Sequence, residues 1–409
     1  MTALAQVALL LTLLAVPALA LLADLDARRR TGHGARPRPG VVTVADGVRP
    51  VTDLTVVVTV AGDLGDVERM TWLRTYRERV LLVTTGAGTP AAYQRLWSLA
   101  GEHGYRVHVA GATGPGAVRS ALLRDAHAVL TSEYVVCVAP GAVVTRPLEQ
   151  VVGALAAARL DVGTLPLAVL PVDVPARLRY LEHAVAARLH RRVPWLVRGG
   201  GHVARRTVHA DLLRRHSRFG PGDDVETGLL AVARGYRVGH LDVPVVVPAP
   251  ATARARWREG TAAAAGAFRL LVVNLPVGVR RPALPAALAV LAVPPLLVWS
   301  AVPAGWVLAL AVVGHGVLTA VLTRDLGEGG RGDLRLRAWC LSPVRAVLRS
   351  LLLLPVGCVA YVVLAWRSGN AGVVRPHDAW WRPEPEGAPV VKRLPGPGPA
   401  RATDWWTAR

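Results

Sequence analysis

Two acidic residues, Asp223 and Asp224, open a segment whose residue types and spacing could perform acid–base chemistry. They begin the run GDDVETGLLAVARGYRV at residues 222–238, which predicts a helix over residues 225–234 followed by a strand. Backbone N–H groups and the helix dipole keep a carboxylate ionised at a helix start, so Asp224 is the candidate general base. Glu226 could act as the base instead of Asp224. However, it is two residues further along the helix, so its side chain points about 200° away from that of Asp224. The alternative is that the two aspartates only cap the helix.

An arginine and a tryptophan, Arg256 and Trp257, stand just before the strongly apolar C-terminal third of the chain. The Arg256 guanidinium offers a fixed positive fork to a diphosphate, and the Trp257 indole offers a flat face to a sugar ring. The pair could instead be a juxtamembrane anchor. Its position predicts an active site that is closed against a bilayer.

Short β-type runs alternate with helical stretches between residues 52 and 250. The predicted strands cover residues 54–60, 80–84, 105–109, 134–138 and 243–247, and the predicted helices cover residues 90–101, 116–130, 148–159 and 177–192. This alternation predicts an α/β fold with a mostly parallel sheet, whose ligands gather beyond the carboxyl ends of the strands. The candidate positions at such ends are Asp63, Thr85, Gly86 and the Ala-Pro-Gly run at residues 139–141.

The order of these segments resembles the membrane-bound family-2-type glycosyltransferases, which include the hyaluronan and cellulose synthases, over residues 52–366. Three motifs carry the acceptor side of this resemblance. The family's Thr-Glu-Asp resembles residues 222–224, its Ser-Gly-x-x-x-x-Arg-Arg resembles Gly199-Gly200 with Arg205-Arg206, and its Gln-x-x-Arg-Trp resembles residues 253–257, where Ala253 replaces Gln.

Three further motifs of the family belong to the nucleotide-sugar side, and here they lack most of their carboxylates. Asp63 stands at the Glu of Pro-x-x-Asn-Glu, Thr84-Thr85-Gly86 stand at Asp-Asp-Gly, and residues 139–141 replace Asp-x-Asp. The family uses these carboxylates to hold the base and a divalent metal, Mg²⁺ or Mn²⁺, on the diphosphate. We assign no metal ligand in this chain, and we expect nucleotide-sugar binding to be weak and less metal-dependent than in the family.

The resemblance implies a nucleotide-sugar-transferase sheet domain of the GT-A type, flanked by transmembrane helices. It implies an integral membrane hexosyltransferase that moves a sugar from a nucleotide sugar to a growing glycan or lipid-linked acceptor, with inversion and with Asp224 as the base. The implied substrate-binding residues are Asp63, Thr85, Gly86, Gly200, Asp223, Arg256 and Trp257. The alternative, which the lost carboxylates favour, is a catalytically inactive homologue that binds glycan or acts as a scaffold for a polysaccharide synthase and its export channel.

Apolar segments flank the predicted domain. Residues 7–23 form a continuous apolar run followed by three arginines, which favours an uncleaved anchor with its C-terminal end in the cytoplasm over a signal peptide. Residues 282–302 and 305–322 predict a hairpin of two spans, whereas residues 350–366 are short for a span and could be re-entrant. We therefore expect a multi-pass plasma-membrane protein with a cytoplasmic domain. The predicted regions are an anchor (1–26), a linker (27–51), a glycosyltransferase-like domain (52–258), an interfacial helix (259–281), a transmembrane region (282–367) and a disordered tail rich in Pro and Trp (368–409).

Charge and composition agree with a membrane protein. The chain has 409 residues, 52% of them hydrophobic, and a formal net charge of +20. Its basic residues are not gathered into a stripe with interleaved aromatics, so we expect attraction to an anionic lipid bilayer and no nucleic-acid partner. Two sets of side chains lack metal-ligand spacing and are interpreted as buried thiols (Cys137, Cys340, Cys358) and as surface or packing histidines (His202, His209, His216).

Overall fold

The computed structural model of the protein describes the region between residues 41 and 248 almost completely. The described residues are 41–60, 64–85, 89–111, 119–170, 173–190, 200–216 and 223–248, with separate helical or bend positions between residues 252 and 363. They all lie in the first of two units, Met1–Pro376, while the second unit, His377–Arg409, lies outside the described residues.

Eleven strands are found among the described residues. They are β1 (Val41–Val42), β2 (Leu54–Val60), β3 (Val80–Thr85), β4 (Arg106–Ala110), β5 (Tyr134–Val138), β6 (Val143–Val144), β7 (Val162–Leu165), β8 (Leu167–Val169), β9 (Gly201–Arg205), β10 (Val238–Leu241) and β11 (Val245–Val247). Eight form one sheet in the order β1-β10-β7-β9-β5-β2-β3-β4, and three form a second sheet in the order β6-β11-β8. In the larger sheet β9 is antiparallel to β5 and β7, and the remaining described pairs are parallel, as predicted.

Helices occupy most of the connections between these strands. They are α1 (Gly65–Glu68), α2 (Pro90–His103), α3 (Arg119–Ala126), α4 (Leu148–Ala157), α5 (Val174–His190), α6 (Arg206–Arg215) and α7 (Asp223–Ala233). The sequence fixes both ends of α2. The Thr89 hydroxyl accepts a hydrogen bond from the Ala92 N–H at 3.3 Å, Pro90 occupies the first helical turn, and Gly104 ends the helix with φ of +71°.

The core lies on both faces of the larger sheet. All seven residues of β2 are buried, as are all five of β5, which is typical of strands covered on both sides. Successive side chains of β2 point to opposite faces, so Val56 and Val58 join one core whereas Val57 joins the other. Cys137 of β5 belongs to the second core, together with Leu213 of α6.

The predicted elements agree with the structure where apolar runs are long. Four of the five predicted strands are β2 to β5, each within one residue of its predicted bounds. The fifth, predicted over residues 243–247, begins at Val245, because Pro244 has no N–H to donate, and it belongs to the smaller sheet as β11. The helix predicted over residues 116–130 ends earlier than predicted, because α3 is followed by a 3₁₀ turn at His127–Val129.

The described residues do not test the predicted membrane segments. Within these residues no helix combines the length and the apolar character that a bilayer crossing requires. The segments predicted at residues 7–23 and 282–302 lie outside the described part of the chain, and those at 305–322 and 350–366 are described only at separate positions.

Candidate active site

The carboxyl ends of β2, β3 and β5 meet the start of β9 at one edge of the larger sheet. Because β9 is antiparallel to β5, its first residue, Gly201, pairs with Val138 at the end of β5. The Gly200 carbonyl accepts a hydrogen bond from the Ala139 N–H at 3.4 Å. Gly200 and the Ala-Pro-Gly turn at residues 139–141, which were predicted from separate motifs, are therefore joined at this edge.

The turn after β5 is enclosed by neighbouring side chains. Gly141 adopts φ of +74°, a conformation that favours glycine. A Cβ atom at this position would lie 3.1 Å from Pro248 Cγ and 3.6 Å from Asp66 Cβ. Asp66 lies on α1, pairs with Arg69, and keeps 40% of its side chain exposed. The turn itself carries no carboxylate, but Asp66 brings one close to it, and no motif in the sequence indicated this.

Asp224 lies in the first turn of α7 and forms an ion pair with Arg119, the first residue of α3. Arg119 Nη1 donates to Asp224 Oδ1 at 2.6 Å, and the two side chains are 19% and 16% exposed. Asp224 is the second described residue of α7, and a carboxylate is favoured near the N-terminal end of a helix. The guanidinium fixes the orientation of the carboxylate while leaving part of it open to solvent.

Glu226, the other acidic candidate on α7, points elsewhere. Its side chain is 0% exposed, and its Oε2 lies 3.6 Å from Nδ1 of His216, which is also buried. This agrees with the expected turn of about 200° between Asp224 and Glu226. A carboxylate with no exposed surface cannot reach an acceptor hydroxyl, so Asp224 is the better base of the two. Asp223 is the first residue of α7, and its side chain is outside the described part.

Two buried histidines, a buried cysteine and the partly buried His127 lie close to the Asp224–Arg119 pair. Cys137 and His202 are register partners on β5 and β9, and His209 projects from α6 between His202 and His127. Burial, strengthened by the positive charge of Arg119, lowers the pKa of His202 to about 4. The charge of Asp224 acts on His202 in the opposite sense, which places the pair close to this cluster.

The sequence interpretation of these side chains is confirmed for the histidines and wrong for one cysteine. His202, His209 and His216 are all buried, which agrees with the packing alternative and not with the surface one. Cys137 is buried as expected, whereas Cys340 is exposed. Cys358 lies outside the described residues. The structure brings Cys137, His202 and His209 together, and residue spacing alone gave no sign of it.

The remaining predicted site residues are spread over the domain. Thr85 ends β3, is half-buried, and its carbonyl accepts a hydrogen bond from the Tyr93 hydroxyl. Trp257 is 49% exposed and lies two residues before Glu259, which pairs with Arg179 of α5. The described contacts do not join Trp257 to Asp224. Asp63, Gly86 and Arg256 lie outside the described residues.

Comparison with known proteins gives similarity of fold alone. No protein-family model matches the chain, and neither does any curated protein. Among solved structures, a mannosyltransferase from Pyrobaculum calidifontis in complex with GDP-Man and Mn²⁺ is 19% identical, with 83% of this chain and 99% of that one covered and a TM-score of 0.47.

Two synthases of sugar phosphoglycerates are also similar. The glucosyl-3-phosphoglycerate synthase of Mycobacterium tuberculosis is 15% identical, with coverage of 53% and 79% and a TM-score of 0.33. The mannosyl-3-phosphoglycerate synthase of Rubrobacter xylanophilus is 15% identical, with coverage of 56% and 81% and a TM-score of 0.35. At these values the similarity is limited to a mixed α/β fold. The sugar donors and metal ions of these proteins are not assigned to this chain on that basis.

Proposed function

We propose that the protein is a glycosyltransferase that moves a sugar from a nucleotide sugar to a growing glycan or a lipid-linked acceptor, with inversion. The observation that carries this proposal is the partly exposed Asp224 carboxylate, which Arg119 holds. The pair lies close to His202, the register partner of Cys137 near the carboxyl end of β5. Ligands of open α/β sheets bind beyond the carboxyl ends of the strands. Inverting transfer needs a carboxylate there that can accept a proton.

The proposed reaction uses Asp224 as the general base. An acceptor hydroxyl attacks the anomeric carbon from the face opposite the diphosphate, and Asp224 takes the hydroxyl proton. The bond from the anomeric carbon to the diphosphate oxygen breaks, and its electron pair leaves with the diphosphate. Arg119 orients the carboxylate before the acceptor arrives, because their charge-assisted hydrogen bond fixes one Asp224 oxygen.

The donor is assigned to the turn at residues 139–141 and to the end of β3. The Thr85 hydroxyl and the Gly141 N–H can form neutral hydrogen bonds of about 1 kcal/mol each, compared with about 1.5 to 3 kcal/mol for bonds to charged groups. Pro140 has no N–H, and the Ala139 N–H already donates to the Gly200 carbonyl. Mg²⁺ prefers one or two carboxylates together with substrate phosphates. Alanine, proline and glycine supply no side-chain oxygen, and Asp66 adds a single carboxylate that is engaged with Arg69. These residues do not fit the family's metal site, and no step of the mechanism passes through a metal.

We propose further that the apolar segments outside the described residues anchor the enzyme in the plasma membrane with its sheet domain in the cytoplasm. The support is in the sequence: apolar runs of span length, and arginines after residue 23 and after residue 322. A glycan or a lipid-linked acceptor would then reach Asp224 from the membrane side.

A second candidate is a catalytically inactive partner of a polysaccharide synthase or its export channel. Two observations favour it. The turn that replaces the metal-binding motif is closed by Pro248 and has no carboxylate of its own. Asp224 is engaged with Arg119, as a purely structural ion pair would be.

One experiment separates the two candidates. The full chain, purified in detergent, is incubated with a panel of radiolabelled nucleotide sugars and lipid or glycan acceptors, with and without Mg²⁺ or Mn²⁺. Transfer of label supports the glycosyltransferase, and its absence with every donor supports the inactive partner. Calorimetric titration with nucleoside diphosphates measures whether the protein binds the donor's diphosphate part. We expect weak binding that EDTA leaves unchanged, whereas micromolar binding abolished by EDTA would contradict the assigned donor site.

A further inference from the structure

A compact group of nitrogen and sulfur donors lies inside the domain, separate from the proposed donor site. Cys137 on β5, His202 on β9 and His209 on α6 have relative exposures of 0%, 2% and 1%. One donor atom from each lies within 4.8 Å of the other two. They converge because Cys137 and His202 are partners in the β5–β9 register, so both side chains point to the same face of the sheet, where α6 packs.

The separations of these atoms are those of ligands around one metal ion. His202 Nε2 lies 3.2 Å from His209 Nε2, and His209 Nε2 lies 3.8 Å from Cys137 Sγ. Zinc–nitrogen bonds are about 2.0 to 2.1 Å long and zinc–sulfur bonds about 2.3 Å. Tetrahedral angles then place two nitrogens about 3.4 Å apart and a nitrogen and a sulfur about 3.6 Å apart. The observed distances differ from these by a few tenths of an ångström.

A fourth residue orients the central ligand. His127 Nε2 lies 2.7 Å from His209 Nδ1. Metal-binding histidines generally donate a hydrogen bond from the ring nitrogen that does not touch the metal. If the Nδ1–H of His209 donates to His127 Nε2, the Nε2 atom of His209 faces Cys137 and His202 without a proton.

We propose that Cys137, His202 and His209 form a buried site for a single thiophilic metal ion, Zn²⁺ or Cu⁺, with His127 as the residue that orients His209. On binding, the thiol of Cys137 releases its proton to solvent and becomes the thiolate ligand. The site ties together β5, β9 and α6, the elements that carry the 139–141 turn and Gly200.

The donor set decides the class of ion. One thiolate and two imidazoles suit Zn²⁺ and Cu⁺, whereas Mg²⁺, Ca²⁺ and Mn²⁺ prefer oxygen ligands. Cu⁺ with one thiolate is electrically neutral, which favours it in a dry interior near the positive charge of Arg119. Zn²⁺ would leave one net positive charge and needs a fourth ligand, such as water. The two ions are therefore separable by experiment.

The test uses the full chain purified in detergent without added chelator. Metal content is measured by mass spectrometry after loading with Zn²⁺ or, under reducing conditions, with Cu⁺, followed by dialysis. We expect one equivalent per chain for the preferred ion. Competition with a chromophoric chelator specific for each ion then gives the affinity of the protein for that ion. Cys137→Ser and His209→Gln should lose the bound ion, and His127→Gln should bind it about 10- to 100-fold more weakly.

Matched controls come from the same chain. Cys340→Ser removes an exposed thiol, and His103→Gln changes a histidine at the end of α2; both should bind the ion like the wild type. If the ligand variants do not fold, the spectrum of the loaded wild type still decides. Co²⁺ in place of Zn²⁺, or Cu⁺ itself, gives a charge-transfer band when a thiolate is a ligand, and loading with neither ion producing such a band contradicts the proposal. The proposal is wrong if folded wild type takes up neither ion in stoichiometric amount, or if Cys137→Ser retains it.

Discussion

The substitution Asp224→Asn tests the proposed base most directly. It removes the proton acceptor while keeping the shape of the side chain. Loss of a general base typically lowers the rate by about 10² to 10⁴, which corresponds to about 3 to 5 kcal/mol of barrier. We expect transfer to fall by this amount while the chain stays folded.

The stability cost of the same substitution follows from the ion pair. Arg119 Nη1 and Asp224 Oδ1 are 2.6 Å apart, and both side chains retain some exposure. A hydrogen bond between charged groups contributes about 1.5 to 3 kcal/mol, and removing one partner of a fully buried pair costs about 3 to 5 kcal/mol. Because asparagine still accepts a hydrogen bond and Arg119 stays partly solvated, we expect a loss near 1 to 2 kcal/mol in the free energy of unfolding.

Activity and stability are measured on the same preparations, by transfer of radiolabel and by urea unfolding. Asp125→Asn is the matched control, because Asp125 lies on α3 like Arg119 but pairs with His108 at the surface. It should keep wild-type transfer. Arg119→Gln removes the other half of the pair and should lower turnover without deleting the base. Wild-type turnover in Asp224→Asn, or an equal loss in Asp125→Asn, would refute the assignment.

Three further outcomes are expected. Burial raises the pKa of Asp211, but a hydrogen bond from the Tyr236 hydroxyl at 2.9 Å and nearby arginines lower it overall. Asp211→Asn should therefore reduce the urea midpoint at pH 7, and the difference from wild type should shrink as pH falls below about 4, because a lowered carboxyl pKa stabilises the fold only above that range. Gly153→Ala should cost about 1 to 3 kcal/mol, since its Cβ would lie 2.2 Å from the Arg49 carbonyl oxygen, whereas Gly101→Ala meets open space and should be neutral or stabilising in the same denaturation assay. A protease site inserted near residue 40 should resist protease added to spheroplasts, and cleavage from outside would reverse the proposed orientation.

The parts of the fold that the sequence predicted are those with strong local patterns. Strand β2 reads LTVVVTV, and α2 begins at Pro90 directly after its capping residue Thr89, so an apolar run marked the strand and capping chemistry marked the helix. Strand β9 was missed because its sequence, GHVAR, has only one strongly apolar residue. It forms a strand because it pairs with β5 in the folded protein. Local propensity does not report such a partner.

The candidate site was predictable only in its local part. Asp224 was proposed because a carboxylate at a helix start has chemical meaning within a few residues of sequence, and its catalytic role stays a prediction. Its partner Arg119 lies 105 positions earlier, and no short motif links the two. The approach of Asp66 to the turn after β5 and the meeting of Cys137 with His209 are likewise products of tertiary packing.

The Asp224–Arg119 pair also suggests how the charge of a leaving diphosphate could be met without the family's metal-binding carboxylates. Before reaction the pair is close to neutral, because the two charges are 2.6 Å apart. In the proposed reaction Asp224 accepts the proton of the acceptor hydroxyl, and its carboxylate then no longer offsets the charge of Arg119. This happens in the step in which negative charge develops on the diphosphate oxygen, and a positive charge fixed at that edge of the sheet stabilises such a transition state more than the ground state. We infer that Arg119 contributes to the rate through this change. The Arg119→Gln variant measures it: a fall in turnover larger than any fall in donor affinity supports the inference, and equal falls in both contradict it.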